Sequence, residues 1–171
     1  MHALGKAYDL CAGIVPVADL AAGANTGKRV HLKNYGGVTF VAYMGAVSAG
    51  TDTFVIDVQE HNAASGGTSQ DLDTVDKWYI KHEATLDGDE TWTKVTQSAA
   101  SEISLTGATY AASQVLVAIH IDAAELSDNF EWVSVDIPDA GAGGTRPGCV
   151  LYILDDLAVQ RAPENLAQPQ A

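Results

Sequence analysis

The chain has 171 residues, with 9 basic and 22 acidic side chains and a formal net charge of −13 at pH 7. That length holds one domain with tails. A hydrophobic content of 47% against 18% charged residues is enough for a sizeable core, which excludes global disorder. The acidic excess excludes a nucleic-acid partner, which needs clustered Lys and Arg, and disfavours an anionic membrane surface. No apolar run is long enough for a transmembrane helix.

The first twelve residues lack a strand pattern and read as an N-terminal arm (1–12), not a secretory signal, since Lys6 is the only basic flank. From there the dominant period is two. Short strands are expected at 13–17 and 28–33, separated by turn chemistry at 23–27. Residues 37–44 place Val38, Phe40, Ala42 and Met44 on one face, and 52–59 align Phe54, Ile56 and Val58. In 76–82, Trp78 and Ile80 point inward while Lys77, Tyr79 and Lys81 point outward. A shorter strand is expected at 91–96. Residues 115–122 align Val115, Val117, Ile119 and Ile121, with a helical turn capped by Asp122 expected just beyond. Strands at 130–137 and 149–154 complete about nine. Residues 158–171 carry Pro163, Pro169 and several Gln without a period, and read as a C-terminal arm. Either terminus reads equally well as a frayed tail.

Alternating strands without long helices between them predict an all-β antiparallel sandwich, jelly-roll-like, over residues 13–157. Cys11 and Cys149 are expected as two buried free thiols. Long polar connections at 60–75, 97–114 and 137–148 are the places where such a scaffold carries contacts. In the 137–148 loop, Gly141, Gly143 and Gly144 let backbone approach a partner, and Arg146 offers a cation to a partner's carboxylate. A mobile loop without a partner is the competing reading.

Chemistry is sparse. The 23–29 segment lacks the spacing, the Ser/Thr and the helix of a phosphate loop. His120 and Asp122 share a strand face but lack a third ligand. The acidic groups Asp71/Asp73/Asp76, Asp87/Asp89/Glu90 and Asp155/Asp156 do not form a complete calcium loop, and read as turn and solubility residues. Trp78, Tyr79, Trp92, Trp132 and Tyr152 lie within strand patterns and read as packing. Sugar binding would need two such rings exposed on one face. A hydrolytic triad would need a pocket holding a histidine beside Ser or Cys and a carboxylate. No catalytic, cofactor-binding or metal-ligating residue is therefore assigned, and no cofactor and no enzyme activity are expected.

The segments 30–35, 44–52, 92–97, 135–141 and 148–152 resemble small virion proteins of tailed bacteriophages and prophages, across roughly residues 28–155. The resemblance implies a capsid-associated β-sandwich, most like a head decoration (cement) protein. It would bind the major capsid protein on the outer surface of the virion, as a homo-oligomer such as a trimer. A tail or head–tail junction protein is the alternative within the virion, and a carbohydrate-binding module the alternative outside it. Contacts to a shell are expected from the 60–75 loop, the 137–148 loop and the segment after Asp156.

Overall fold

The computed structural model describes residues 2–141 and 144–170. Among them twelve strands form: β1 (Tyr8–Val17), β2 (Asn25–Thr26), β3 (Val30–His31), β4 (Gly37–Met44), β5 (Phe54–His61), β6 (Ser69–Asp71), β7 (Val75–Glu83), β8 (Thr93–Ala100), β9 (Glu102–Leu105), β10 (Gln114–Asp122), β11 (Trp132–Ile137) and β12 (Gly148–Asp155). Each of the nine strands read from the sequence has its counterpart here. The three others, β2, β6 and β9, are two to four residues long, too short to display a period. A 3-10 turn at Ala123–Glu125 follows β10, and the Glu125 carboxylate accepts the Asp122 backbone N–H at 2.8 Å.

Four nested antiparallel pairs define the topology: β1 with β12, β2 and β3 with β11, β4 with β10, and β5 with β9. A long hairpin paired in this way and rolled upon itself is a jelly roll. It produces a front sheet in the order β1-β12-β4-β10-β7-β8 and a back sheet built on β11 and β5. The β7–β8 hairpin, lying between β6 and β9 in the chain, widens the front sheet from four strands to six.

The inward rows are those the period predicts. Val38, Phe40, Ala42 and Met44 of β4 and Val115, Val117, Ile119 and Ile121 of β10 face Phe54, Ile56 and Val58 of β5 and Val133 and Val135 of β11, all buried. Tyr152 of β12 is fully buried and crosses this core. Its hydroxyl accepts the Val135 N–H of the back sheet at 3.0 Å, and its ring meets Phe40 edge-on at 4.8 Å. Gly13 and Gly27 make room for it, since a Cβ on either would collide with the tyrosine.

Both ends differ from the arms expected of them. Residues 8–12 lie in β1, paired to β12 from Tyr8↔Asp155 onward, because Asp9 and Cys11 alternate inward and Tyr35 donates its hydroxyl to Asp9 at 2.8 Å. The 158–170 stretch is laid down along the body. Ala158 N–H bonds Asn34 O, Arg161 N–H bonds Gly5 O, His31 N–H bonds Pro169 O, and the Gln170 amide reaches Ala12 O at 2.7 Å. These bonds satisfy edge groups of β1 and β3 that would otherwise be left to water or to another chain. Cys11 and Cys149 are free, as expected. Cys11 is buried on the inner face of the front sheet and Cys149 is half-buried on the outer face, so the sheet itself separates them.

Replacing Tyr152 with Phe removes the acceptor of a buried N–H while keeping the ring. A loss of about 1–3 kcal/mol is expected, read as a lower urea midpoint at unchanged m-value.

Candidate functional site

The front and back sheets present opposite chemistry to solvent. On the back sheet, the outward side chains of β5, β6 and β11 form a polar network. His61, only 4% exposed, has Ser69 Oγ at 2.8 Å from Nδ1 and Ser134 Oγ at 2.9 Å from Nε2. Ser134 donates to Asp136 at 3.3 Å, so its oxygen is free to accept Nε2–H. Nδ1 then accepts from Ser69, which itself accepts from Arg29 at 3.0 Å. A neutral imidazole with its proton on Nε2 satisfies the whole chain from guanidinium to carboxylate. Burial first, and the Arg29 charge second, push His61 down to about 4.

This cluster is not a hydrolytic triad. The carboxylate touches the serine and not the histidine, and Ser134 is fully buried, so no substrate carbonyl can reach it. Arg29 is committed as well, donating to Ala63 O and Gly66 O at 2.8 Å each and so holding the turn between β5 and β6. Of five cavities described, none gathers a histidine with Ser or Cys. One of about 290 Å³, between the Asn34–Tyr35 turn and the C-terminal segment, is lined by Leu157, Val159 and Leu166 with Arg161 and Asn165.

The acidic groups separate into structural and open ones. Asp71 accepts from Gln59, Asp73 holds the Ser101 N–H, and Asp76 pairs with Lys77. Asp122 lies 3.4 Å from His120 Nε2, while Thr39 Oγ1 at 3.0 Å and Asp155 at 3.7 Å both approach Nδ1. In the β7–β8 turn, Glu83, Asp87, Asp89 and Glu90 each bring a carboxylate oxygen within 4.8 Å of the others. These are the residues best placed to hold a cation, although Glu90 already accepts the Asp87 and Gly88 N–H groups.

The 137–148 loop does something other than reach outward. Arg146 is 1% exposed, donates to Gly45 O, Tyr110 O and Ser113 O, and lies over the Phe54 ring at 5.3 Å. It ties three loops of its own chain together and presents no cation to a partner. Gly144, at φ +110°, brings its backbone against Ala49 of the same chain, where a Cβ would collide. Gly141 also has positive φ, and Gly143 lies outside the described residues.

The front sheet carries the most distinctive surface. Seven large hydrophobic side chains are exposed among the described residues, and six of them share this sheet's outer side: Leu10, Val15, Tyr43, Tyr79, Trp92 and Leu151. Register makes them contiguous. Ala12, Leu151, Val41, Ala118 and Tyr79 form one row across five strands, and Cys149, Tyr43, Leu116 and Lys81 form the next, with Lys81 Nζ 5.3 Å from the Trp92 ring. Exposed hydrophobics scattered singly are ordinary; a continuous sheet face of them is not. The alternation in 76–82 points Lys77, Tyr79 and Lys81 outward, and the other strands of this face are read only by their inward rows. The available signal was the near-continuous apolar run in 37–44, 115–121 and 149–154, which marks strands covered on both faces.

Of the aromatic set, Trp78 and Tyr152 are buried, and Trp132 is half-buried, stacked on His31 at 4.6 Å on the back sheet. Tyr79 and Trp92 are exposed together on the front.

The pH dependence of stability follows from His61. The unfolded chain takes up a proton near 6.5 and the folded one resists until about 4. The contribution is complete above pH 6.5 and is lost as pH falls towards 4, up to about 3 kcal/mol. Burial raises Asp57 and Asp136, which acts in the opposite sense on acidification. The stability difference between wild type and H61Q, measured by urea unfolding from pH 7 to 4, isolates the histidine. It should shift steadily against wild type as pH falls.

In comparison with known proteins, no family model matches the chain, and neither a curated protein nor a solved structure matches it.

Proposed function

We propose that this chain is a non-catalytic structural protein of a phage virion that binds the outside of the assembled capsid and stabilises it, as a decoration protein does. The observation that carries the reading is the contiguous apolar face of the front sheet, on a fold whose best-formed polar cluster is closed to substrate. Such a surface performs association, not chemistry. The resemblance of the strand and turn segments to virion proteins supplies the shell as the larger partner. The acidic remainder of the surface disfavours contact with packaged nucleic acid and complements a basic coat. With the C-terminal segment bonded along its own body and Arg146 internal, shell contacts fall to the β5–β6 turn, the exposed β7–β8 turn and the sheet surfaces.

Purified protein mixed with undecorated capsids should co-sediment with them and raise their resistance to heat. Absence of both effects removes the decoration reading. Copy number on the particle then separates head from tail, since a decoration protein is present in hundreds and a junction protein in a single ring. A second reading, carbohydrate binding, is favoured by one observation, the joint exposure of Tyr79 and Trp92. Glycan-array binding that disappears in the W92A variant would establish it, and silence on the array would remove it.

A further inference from the structure

The outer side of the front sheet has the composition of a surface that is normally covered. In an antiparallel sheet with one wet face, outward positions are polar, as they are on the back sheet at Asp57, Gln59, Ser134 and Asp136. On the front sheet the outward positions of the three central strands are instead mostly apolar, Val41 and Tyr43, Leu116 and Ala118, and Leu151 and Ile153, with Thr39 and His120 as polar neighbours towards one end. We infer that a second copy of this chain packs face to face against this sheet, related by a two-fold axis that runs along the strands between β4 and β10.

Size is the first argument. Six strands about 4.8 Å apart and eight residues long at about 3.3 Å each make a face on the order of 700 Å². A stable interface takes about 800 Å² from each partner, and sheets do pack in this aligned manner about 10 Å apart.

Charge is the second and selects the occupant. Two copies at −13 each repel, so they can meet only where carboxylates are absent. The outward carboxylates of this sheet, Asp76, Asp122, Asp155 and Glu83, stand at or next to strand ends, and its interior has none. The cations Lys77, Lys81 and Lys94 all lie on the β7–β8 side.

Charge also selects the axis. An in-plane axis perpendicular to the strands would lay lysines over lysines. An axis along them lays the β7–β8 half of one copy over the β1–β12 half of the other. By register, Tyr79 then meets Leu151, Lys81 meets Cys149, and the Lys77 stem, its ammonium paired with Asp76, lies over Ile153. The arrangement is self-complementary, as a two-fold interface must be.

The inference draws on the same apolar face as the capsid reading and assigns it to a second copy, which leaves shell contacts to the β5–β6 and β7–β8 turns. Dimerisation and capsid co-sedimentation are separate measurements, so the two can fail separately. Sedimentation equilibrium of the full chain should show a monomer–dimer equilibrium that tightens as salt rises and screens the net charge. A short thiol-to-amine cross-linker applied to wild-type protein should join Cys149 to Lys81 within covalent dimers. Within one chain these residues are three strands apart, about 14 Å, beyond a linker of half that length, and this readout needs no variant. L151D should weaken the dimer by about 30-fold or more with an unchanged circular dichroism spectrum. A chain that stays monomeric, an odd-numbered oligomer, a dimer that dissociates as salt rises, a covalent dimer without the Cys149–Lys81 link, or a dimer indifferent to L151D would each overturn the inference.

Discussion

The fold depends on a gap in one ladder and the side chain that fills it. β11 is paired on one edge by β3 at Trp132–Val133 and by β2 at Asp136–Ile137, and between these the chain leaves the sheet. Gly27 N–H bonds Val135 O across that gap, but the Val135 N–H is left without a backbone partner on this edge. A buried N–H cannot remain unpaired cheaply. The hydroxyl of Tyr152, arriving from the opposite sheet, takes it. One side chain thereby fixes the spacing of the two sheets, the register of β12 against β11, and the need for glycine at 13 and 27.

The same economy governs the loops. A jelly roll gathers its connections at the two ends of the sandwich, and long connections there must satisfy their own backbone. Arg146 does this for two of them besides its own, taking the carbonyls of Gly45 in the β4–β5 connection and of Tyr110 and Ser113 in the β9–β10 connection, with the Phe54 ring beneath it. Burial without a carboxylate lowers the guanidinium to about 10, still charged at neutral pH. Arg29 does the equivalent for the β5–β6 turn. One of the few cations of an acidic chain is thus buried within it and a second, half-buried, is committed to a turn, which leaves a more uniformly acidic exterior than composition alone describes.

That exterior is divided. The back sheet's outward side chains bond one another in a network closed by neutral His61. The front sheet's outward side chains are largely apolar, with polar pairing confined to its margins at His120 and Lys77. The proposed role uses a surface of each kind, one repelling indiscriminate contact and one rewarding a specific fit.

Much of this was legible in the chain. A period of two, read against turn residues, places nine strands and the inward rows of β4, β5, β7 and β10, because burial on one face imposes that period along strands of eight or nine residues. The free thiols and the capped turn after Asp122 follow from equally local rules. Strands of two to four residues left no period to read. The destinations of Arg146 and the 158–170 segment depend on groups distant in sequence, so a lone cation and a Pro- and Gln-containing tail looked like outward features. His61 met Ser69 and Ser134 only when β5, β6 and β11 came together. The charge of −13 and the alternation are properties of the chain itself. Which face is left uncovered is a property of the pairing order, because only the order β1-β12-β4-β10-β7-β8 turns separate apolar positions into one continuous surface.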